Sequence, residues 1–137
     1  MFKSTAVSHI MSKKVVVANL NNKFTQVRKL FLEFKLKHLL ITEDNDKVIG
    51  IISTHDVLRA YKELTDRIKV VDDKVLDHEI KLSDIMTPNP ETINPDDTVE
   101  FAAKKFSQNK YHALPVTEDG IVRGIVTTND LIKFILD

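Results

Sequence analysis

The chain has 137 residues, 42% of them hydrophobic, which is the length and composition of about one globular domain. Its 20 basic and 20 acidic residues cancel, so it lacks the positive charge that nucleic-acid binding requires, and it has no cysteine for disulfides or thiolate chemistry. Its apolar runs are too short to cross a bilayer, and its N-terminus lacks the apolar core of a signal peptide. This composition predicts a cytoplasmic protein without nucleic-acid or membrane partners.

Hydrophobic periodicity and chain breakers predict five elements, in the order β-α-β-β-α, in the first half of the chain. After a Ser-capped turn of helix at 8–11, they are an extended segment at 15–17, a helix from Asn22, strands at 38–42 and 48–53, and a closing helix. We expect the closing helix to carry Val57, Leu58 and Tyr61 inward.

The second half of the chain repeats this pattern. At an offset of 75 residues SHIMSKK falls on SDIMTPN, and KLKHLLITED falls on KYHALPVTED. One residue is lost in the next turn, so GIISTHD meets GIVTTND at an offset of 74. The second copy therefore predicts a Ser-capped turn at 83–86, an extended segment at 91–93, a helix from Asp97, strands at 113–117 and 121–127, and a closing helix.

Sequential strands with helices over one face of a small sheet predict a mixed α+β fold. Two copies are fewer than a solenoid needs, so we expect two half-domains that share one core. The predicted boundaries are 1–66 for repeat one, 67–80 for a linker and 81–137 for repeat two. The linker is charged but has enough apolar residues to pack, which indicates a tethered segment.

Each repeat ends a strand with Ser or Thr followed three residues later by Asp, as Ser53 with Asp56 and Thr127 with Asp130. This spacing is typical of a helix capping box. The same place also suits a ligand, because a helix N-terminus attracts phosphate and a carboxylate accepts hydrogen bonds from two adjacent hydroxyls, such as those of a ribose. Both interpretations stay open, since a cap can release to a ligand.

In this order, and twice, these elements resemble the paired CBS domains, named after cystathionine beta-synthase, whose two-repeat unit is called a Bateman module. The resemblance rests on Ser-x-Ile-Met opening each repeat, on Leu114-Pro115-Val116, and on Gly-Ile-hydrophobic-Ser/Thr-x-x-Asp closing both repeats. It covers nearly the whole chain. It implies two repeats related by pseudo-twofold symmetry, with up to two clefts between them that often bind AMP, ADP, ATP or S-adenosylmethionine.

The resemblance implies three kinds of nucleotide-binding residue: the two motifs, extended segments that line the base, and cationic residues that reach the phosphates. The motif residues are Ser53, Asp56, Thr127 and Asp130. The base-lining residues are Val15, Val17, Thr92 and Ile93, and the cationic residues are Lys37, His38 and His112. For the cationic residues the alternative is a solvated surface role. Repeat one has Leu40 in place of Pro115 and lacks prolines in its extended segment, so repeat two is the better match.

No catalytic motif, metal-ligand spacing or glycine-rich phosphate loop occurs in the sequence, so we expect neither an enzyme nor a metal site. The sequence predicts a stand-alone regulatory module that binds an adenosine compound between its repeats and signals to an unidentified effector protein. We expect a homodimer formed through the closing helices. The alternative is a ligand-free structural module for dimerisation or interaction.

Overall fold

The computed structural model describes residues 4–137, in which six α-helices and six β-strands form two compact units. In chain order the elements are β1 (Val17–Asn19), α1 (Phe24–Phe34), β2 (His38–Glu43), β3 (Lys47–Ser53), α2 (Thr54–Arg67), α3 (Asp73–Glu79), α4 (Leu82–Ile85), β4 (Thr87–Pro88), α5 (Val99–Phe106), β5 (Ala113–Glu118), β6 (Ile121–Thr127) and α6 (Thr128–Leu136). The predicted α+β class is confirmed, and the four predicted hairpin strands end within one residue of the observed ones.

One unit, the repeat-two unit, consists of residues 4–15, Asp46–Val48 and Pro90–Asp137. Its strands β5 and β6 pair antiparallel, and α5 and α6 contribute to the core behind them. The buried core residues are Val7, Ile93, Val99, Ala102, Phe106, Leu114, Val116, Val126 and Leu131. Among residues 4–137 the extended segment predicted at 91–93 forms a single parallel bridge, from Ile93 to Val116. Pro90 and Pro95 flank it and lack the N–H that a longer strand would donate.

The other unit, the repeat-one unit, consists of Val16–Asn45 and Ile49–Asn89. In it β1 runs parallel to β2, β2 pairs with β3, and β4 pairs antiparallel with β3. The buried residues behind these strands are Ala18, Val27, Leu39, Ile41, Ile52 and Leu82.

The predicted linker is an ordered part of the repeat-one unit. Its helix α3 supplies Leu76, which joins Phe24 and Leu64 in a further buried cluster. Asp77 of α3 also accepts hydrogen bonds from the backbone N–H (2.9 Å) and the hydroxyl (2.8 Å) of Thr25 at the start of α1. The linker is therefore fixed to α1 by both apolar packing and hydrogen bonds.

The opening segment of each repeat packs in the unit named after the other repeat. In the repeat-two unit Val7 is fully buried, and Ser12 exchanges backbone hydrogen bonds of 2.9 and 3.0 Å with Ile125. In the repeat-one unit the N–H of Asn89 donates to the carbonyl of Ile49 at 2.9 Å. The boundaries of the sequence repeats therefore do not coincide with those of the compact units. The repeat boundaries stay a prediction, and residues 1–3 of repeat one lie outside the described residues.

The two opening turns are not capped by serine, so that prediction is wrong. The N-cap residues are Ala6 and Lys81, and neither side chain makes a capping hydrogen bond. Ser8 and Ser83 already lie inside the helical turns, where their backbone groups belong to the turn itself.

The inward face of α2 also differs from the prediction. Val57 packs against the core, but Leu58 is 61% exposed and Tyr61 is 45% exposed. Ala60 and Leu64 are buried instead. The reason is that α3 packs on α2 and shifts the covered stripe of the helix toward these two residues.

Candidate functional site

Both Ser/Thr-x-x-Asp motifs form the predicted capping boxes. At α6 the N–H of Thr127 donates to Asp130 Oδ2 at 2.8 Å, and the N–H of Asp130 donates to Thr127 Oγ1 at 3.2 Å. At α2 the N–H of Ser53 donates to Asp56 Oδ2 at 2.8 Å, and the N–H of Asp56 donates to Ser53 Oγ at 3.2 Å. The capping interpretation is therefore confirmed for both helices.

The two aspartates differ in their second carboxylate oxygen. Within residues 4–137 the hydrogen bonds that the Asp130 carboxylate accepts all use Oδ2, which also accepts from Thr127 Oγ1 at 3.0 Å. The Oδ1 atom of Asp56 lies 3.6 Å from Nη1 of Arg59, and the Asp56 side chain is only 17% exposed. Asp130 Oδ1 is therefore available to a further donor, whereas Asp56 Oδ1 already faces the guanidinium of Arg59.

The residues just before the middle strands lie beside these helix ends. The carbonyl of His112 accepts from the N–H of Thr128 at 3.1 Å. The carbonyl of Lys37 accepts from the N–H of Thr54 at 3.0 Å and from its hydroxyl at 3.2 Å. The structure thus brings His112 to the Thr127 motif and Lys37 to the Ser53 motif, and both residues are exposed.

His38 and the predicted base-lining residues are placed less uniformly. His38 is the first residue of β2 and is half-buried. Val17 belongs to the repeat-one unit, where it pairs with a residue of β2. Val15, Thr92 and Ile93 all belong to the repeat-two unit. Ile93 is a buried core residue, whereas its neighbour Thr92 is exposed to solvent.

A contact that the sequence did not predict explains the glycine that opens each closing motif. A Cβ atom on Gly124 would lie 2.7 Å from both Met11 Sδ and the Ser12 carbonyl oxygen. A Cβ atom on Gly50 would overlap Met86 Sδ in the same way. The methionine of each Ser-x-Ile-Met motif therefore needs the glycine of the other repeat's closing motif. The two motifs recur at matching offsets, but that regularity does not say that they touch.

None of the helices within residues 4–137 is long and apolar enough to cross a membrane. In the same range no group of three or more His, Asp or Glu side chains is arranged to hold a metal ion.

A family model and two solved structures that resemble this chain all represent CBS domain proteins. The CBS domain model matches the chain twice, over residues 7–63 and 82–137. CBSX2 of Arabidopsis thaliana in complex with AMP is 25% identical, with a TM-score of 0.79 and 96% of each chain covered. The CBS domain pair of protein MJ0100, in complex with 5′-methylthioadenosine and S-adenosyl-L-methionine, is 27% identical, with a TM-score of 0.79 over 96% of this chain and 99% of that one.

Among curated sequences, L-aspartate semialdehyde sulfurtransferase of Methanocaldococcus jannaschii is 30% identical over 128 residues. The match covers 93% of this chain but only 22% of that enzyme. The chain therefore spans less than a quarter of the length of this relative.

Proposed function

This chain belongs to the CBS domain family, and from that premise we propose that it is a regulatory module that binds an adenosine compound. The related structures in complex with AMP, or with 5′-methylthioadenosine and S-adenosyl-L-methionine, support this class of ligand. AMP, ADP, ATP and S-adenosylmethionine are the candidates to test. We propose binding without turnover.

The N-terminus of α6 is the observation that carries the proposal. Asp130 Oδ1 is open to the two adjacent hydroxyls of a ribose, and the positive end of the helix dipole attracts a phosphate. The exposed His112 side chain, bound to this helix through its backbone, adds a donor for the phosphate. Val15 and Thr92 of the same unit are proposed to line the base, with Ile93 as the buried support behind them.

The N-terminus of α2 is proposed as the weaker site. It offers the same motif in Ser53 and Asp56, with Lys37 and His38 as cationic residues and Val17 beside the base. Arg59 faces Asp56 Oδ1, so a ribose has to compete with this ion pair for the oxygen that is open in Asp130. We therefore expect the repeat-two site to bind first.

The exposed apolar faces of the two closing helices are our candidates for the surface that signals to a partner. The outer face of α6 exposes Ile132 and Ile135, and that of α2 exposes Leu58 and Tyr61. We propose that these faces form a symmetric homodimer, whose interface would bury on the order of 1,600 Å² or more, and that ligand binding at the helix N-termini changes what this surface presents to an effector protein. Light scattering should give twice the mass of one chain, and a monomer mass at micromolar concentration would contradict the dimer.

The same exposed faces favour a second candidate function, a ligand-free module for dimerisation. A thermal shift assay distinguishes the two, because a ligand that binds only the native state raises the melting temperature. A hundredfold excess over the dissociation constant adds about 2.7 kcal/mol of stability. If AMP, ADP, ATP and S-adenosylmethionine all leave the melting curve unchanged, the dimerisation module takes precedence.

Calorimetry on aspartate variants then tests the site. Asp130→Ala should weaken binding roughly ten- to hundredfold, because it removes a charged acceptor worth about 1.5–3 kcal/mol. Asp56→Ala should weaken it less. Asp72→Ala is the matched control, since Asp72 caps α3 by accepting from the N–H of Val75 at 2.9 Å and lies outside the proposed site. It should lower the unfolding midpoint and leave affinity unchanged. If Asp130→Ala behaves like this control, the motif only caps a helix.

A further inference from the structure

Three polar side chains of the repeat-two unit meet beside the proposed base-lining segment. The Glu91 carboxylate accepts hydrogen bonds from Lys105 Nζ and from the hydroxyl of Tyr111, the latter at 3.1 Å. Lys105 Nζ also lies 4.9 Å from the centroid of the Phe101 ring. The Lys105 side chain is 18% exposed and that of Glu91 is 40% exposed, so the ion pair is partly shielded from water.

This cluster joins three parts of the unit. Glu91 directly precedes Thr92 in the extended segment, Lys105 lies on α5, and Tyr111 directly precedes His112. It therefore links two stretches of chain that carry proposed ligand contacts, and it anchors both to a helix of the core.

Repeat one places apolar residues at the same three positions. At the offset of 75 residues, Val16, Leu30 and Leu36 correspond to the members of the cluster. All three are half-buried and pack against the core of the repeat-one unit. Apolar packing in one unit thus replaces the polar cluster of the other.

The strand pairing shows that this correspondence is structural as well as sequential. In the repeat-one unit Ala18 pairs in parallel with Ile41, and in the repeat-two unit Ile93 pairs in parallel with Val116. These two pairs are related by the same offset of 75 residues. The extended segments of the two repeats therefore lie in the same register on their middle strands.

We propose that Glu91, Lys105 and Tyr111 form an ionic clasp that positions Thr92 and His112 for the ligand and makes the affinity of the repeat-two site depend on ionic strength. The ligand part of this inference rests on the proposed function. The clasp itself is a property of the free protein and can be tested without any ligand.

The charges of the clasp explain why salt, and not pH, controls it near neutrality. Lys105 and Tyr111, through their hydrogen bonds, and the nearby charge of Lys110 hold the pKa of Glu91 below its usual 4.5. The bond to Glu91 raises the pKa of Tyr111 above its usual 10.0, so this hydroxyl stays a donor. These two shifts keep Glu91 charged and Tyr111 protonated around pH 7. Salt nevertheless screens a partly exposed ion pair, whereas the apolar packing in repeat one has no charge to screen.

Hydrogen exchange on the ligand-free protein tests the clasp. The reporters are the N–H of Ile93, which donates to the Pro115 carbonyl at 3.0 Å, and the N–H of Thr117, which donates to the Ile93 carbonyl at 2.9 Å. Raising the salt concentration from about 0.02 to 0.5 M should speed their exchange in the unaltered chain by roughly 3- to 10-fold, the range expected for a hydrogen-bonded ion pair. This measurement needs no variant to fold.

Variants then assign the effect to the cluster. At low salt Lys105→Gln should speed the exchange of the Ile93 amide by roughly the same factor, and Lys105→Arg should restore slow exchange. Lys104→Gln is the matched control, because it removes the same charge from an exposed position on the same helix. The combined variant Glu91→Val, Lys105→Leu, Tyr111→Leu carries the residues of repeat one and should exchange slowly at every salt concentration. Equal exchange in Lys105→Gln and Lys104→Gln would overturn the clasp.

Calorimetry with adenosine tests the effect on the ligand. Adenosine carries no phosphate, so a salt dependence of its affinity comes from the protein. Its affinity should fall roughly 3- to 10-fold between low and high salt in the unaltered chain and stay constant in the combined variant. Binding without any salt dependence would overturn the positioning role. If adenosine, AMP, ADP, ATP and S-adenosylmethionine all fail to bind while the amides respond as expected, the proposed function fails and the clasp stands.

Discussion

Replacing Gly124 with alanine should destabilise the protein more than replacing Gly50, although both glycines occupy the same place in their repeats. The three atoms nearest to a Cβ atom on Gly50 all belong to the side chain of Met86, whose Cγ would lie 3.1 Å away. A Cβ atom on Gly124 meets the Met11 side chain and also the Ser12 carbonyl oxygen, at 2.7 Å. A methionine side chain can rotate away, but a backbone carbonyl can move only together with the chain segment that carries it.

The expected magnitudes follow from these contacts. Overfilling a packed site costs about 1–3 kcal/mol, and a flexible methionine keeps Gly50→Ala near the lower end, at about 1–2 kcal/mol. Gly124→Ala in addition displaces the Ser12 carbonyl, which accepts from the N–H of Ile125 at 3.0 Å. Loss of that hydrogen bond adds about 1 kcal/mol and brings the total to about 2–4 kcal/mol.

Urea unfolding of both variants checks this reasoning. Each glycine variant is also made in a second background, in which the contacting methionine is replaced by alanine. In the Met86→Ala background Gly50→Ala should cost almost nothing. In the Met11→Ala background Gly124→Ala should keep most of its cost, because the carbonyl remains. The prediction is wrong if both glycine-to-alanine substitutions lower the unfolding free energy equally. It is also wrong if truncating the methionine abolishes the loss at both positions, because the Ser12 carbonyl then does not cause the larger loss at Gly124.

Two other predictions concern the polar contacts that fix the extended segment and the linker. Because the folded pKa of Glu91 is below its usual 4.5, the stabilisation is fully present above about pH 4.5 and is lost as the pH falls through the folded value. The unfolding free energy should therefore fall more steeply below pH 4.5 in the unaltered chain than in Glu91→Gln, and parallel curves would contradict this. Thr25→Val removes the hydroxyl that donates to Asp77 at 2.8 Å and should cost about 0.5–1.5 kcal/mol by urea unfolding. Thr65→Val removes an exposed hydroxyl bonded to its own helix, so an equal loss there would argue against a specific role for the linker contact.

The family, the fold class and the element order were predictable because they depend on local patterns. The resemblance to paired CBS domains is confirmed by the family match, and the capping boxes are confirmed because they join residues only three positions apart. The predicted serine caps at Ser8 and Ser83 were wrong because a local pattern does not fix the exact first residue of a turn. A serine before an apolar pair marks the approximate start of a turn, but packing decides which residue is the first with helical backbone angles.

The packing of the opening segments could not be predicted from the sequence. An offset of 75 shows that Met11 and Met86 are equivalent, but equivalence does not tell which glycine each methionine covers. The Glu91 cluster is similar, since its members are 14 and 20 residues apart along the chain. Comparing the two repeats position by position would have pointed to it, because three apolar positions of repeat one are polar in repeat two.

The two proposed sites therefore differ at two places that the shared motif does not reveal. Arg59 occupies the second oxygen of Asp56, whereas Asp130 keeps its own open, so the repeat-two site should fill at the lower ligand concentration. The extended segment beside that site carries the Glu91–Lys105 ion pair, whereas Val16, at the corresponding position in repeat one, packs against apolar residues. A module of this kind would give a graded response, because one site reports low ligand levels and is sensitive to salt, and the other responds only when its ion pair is displaced.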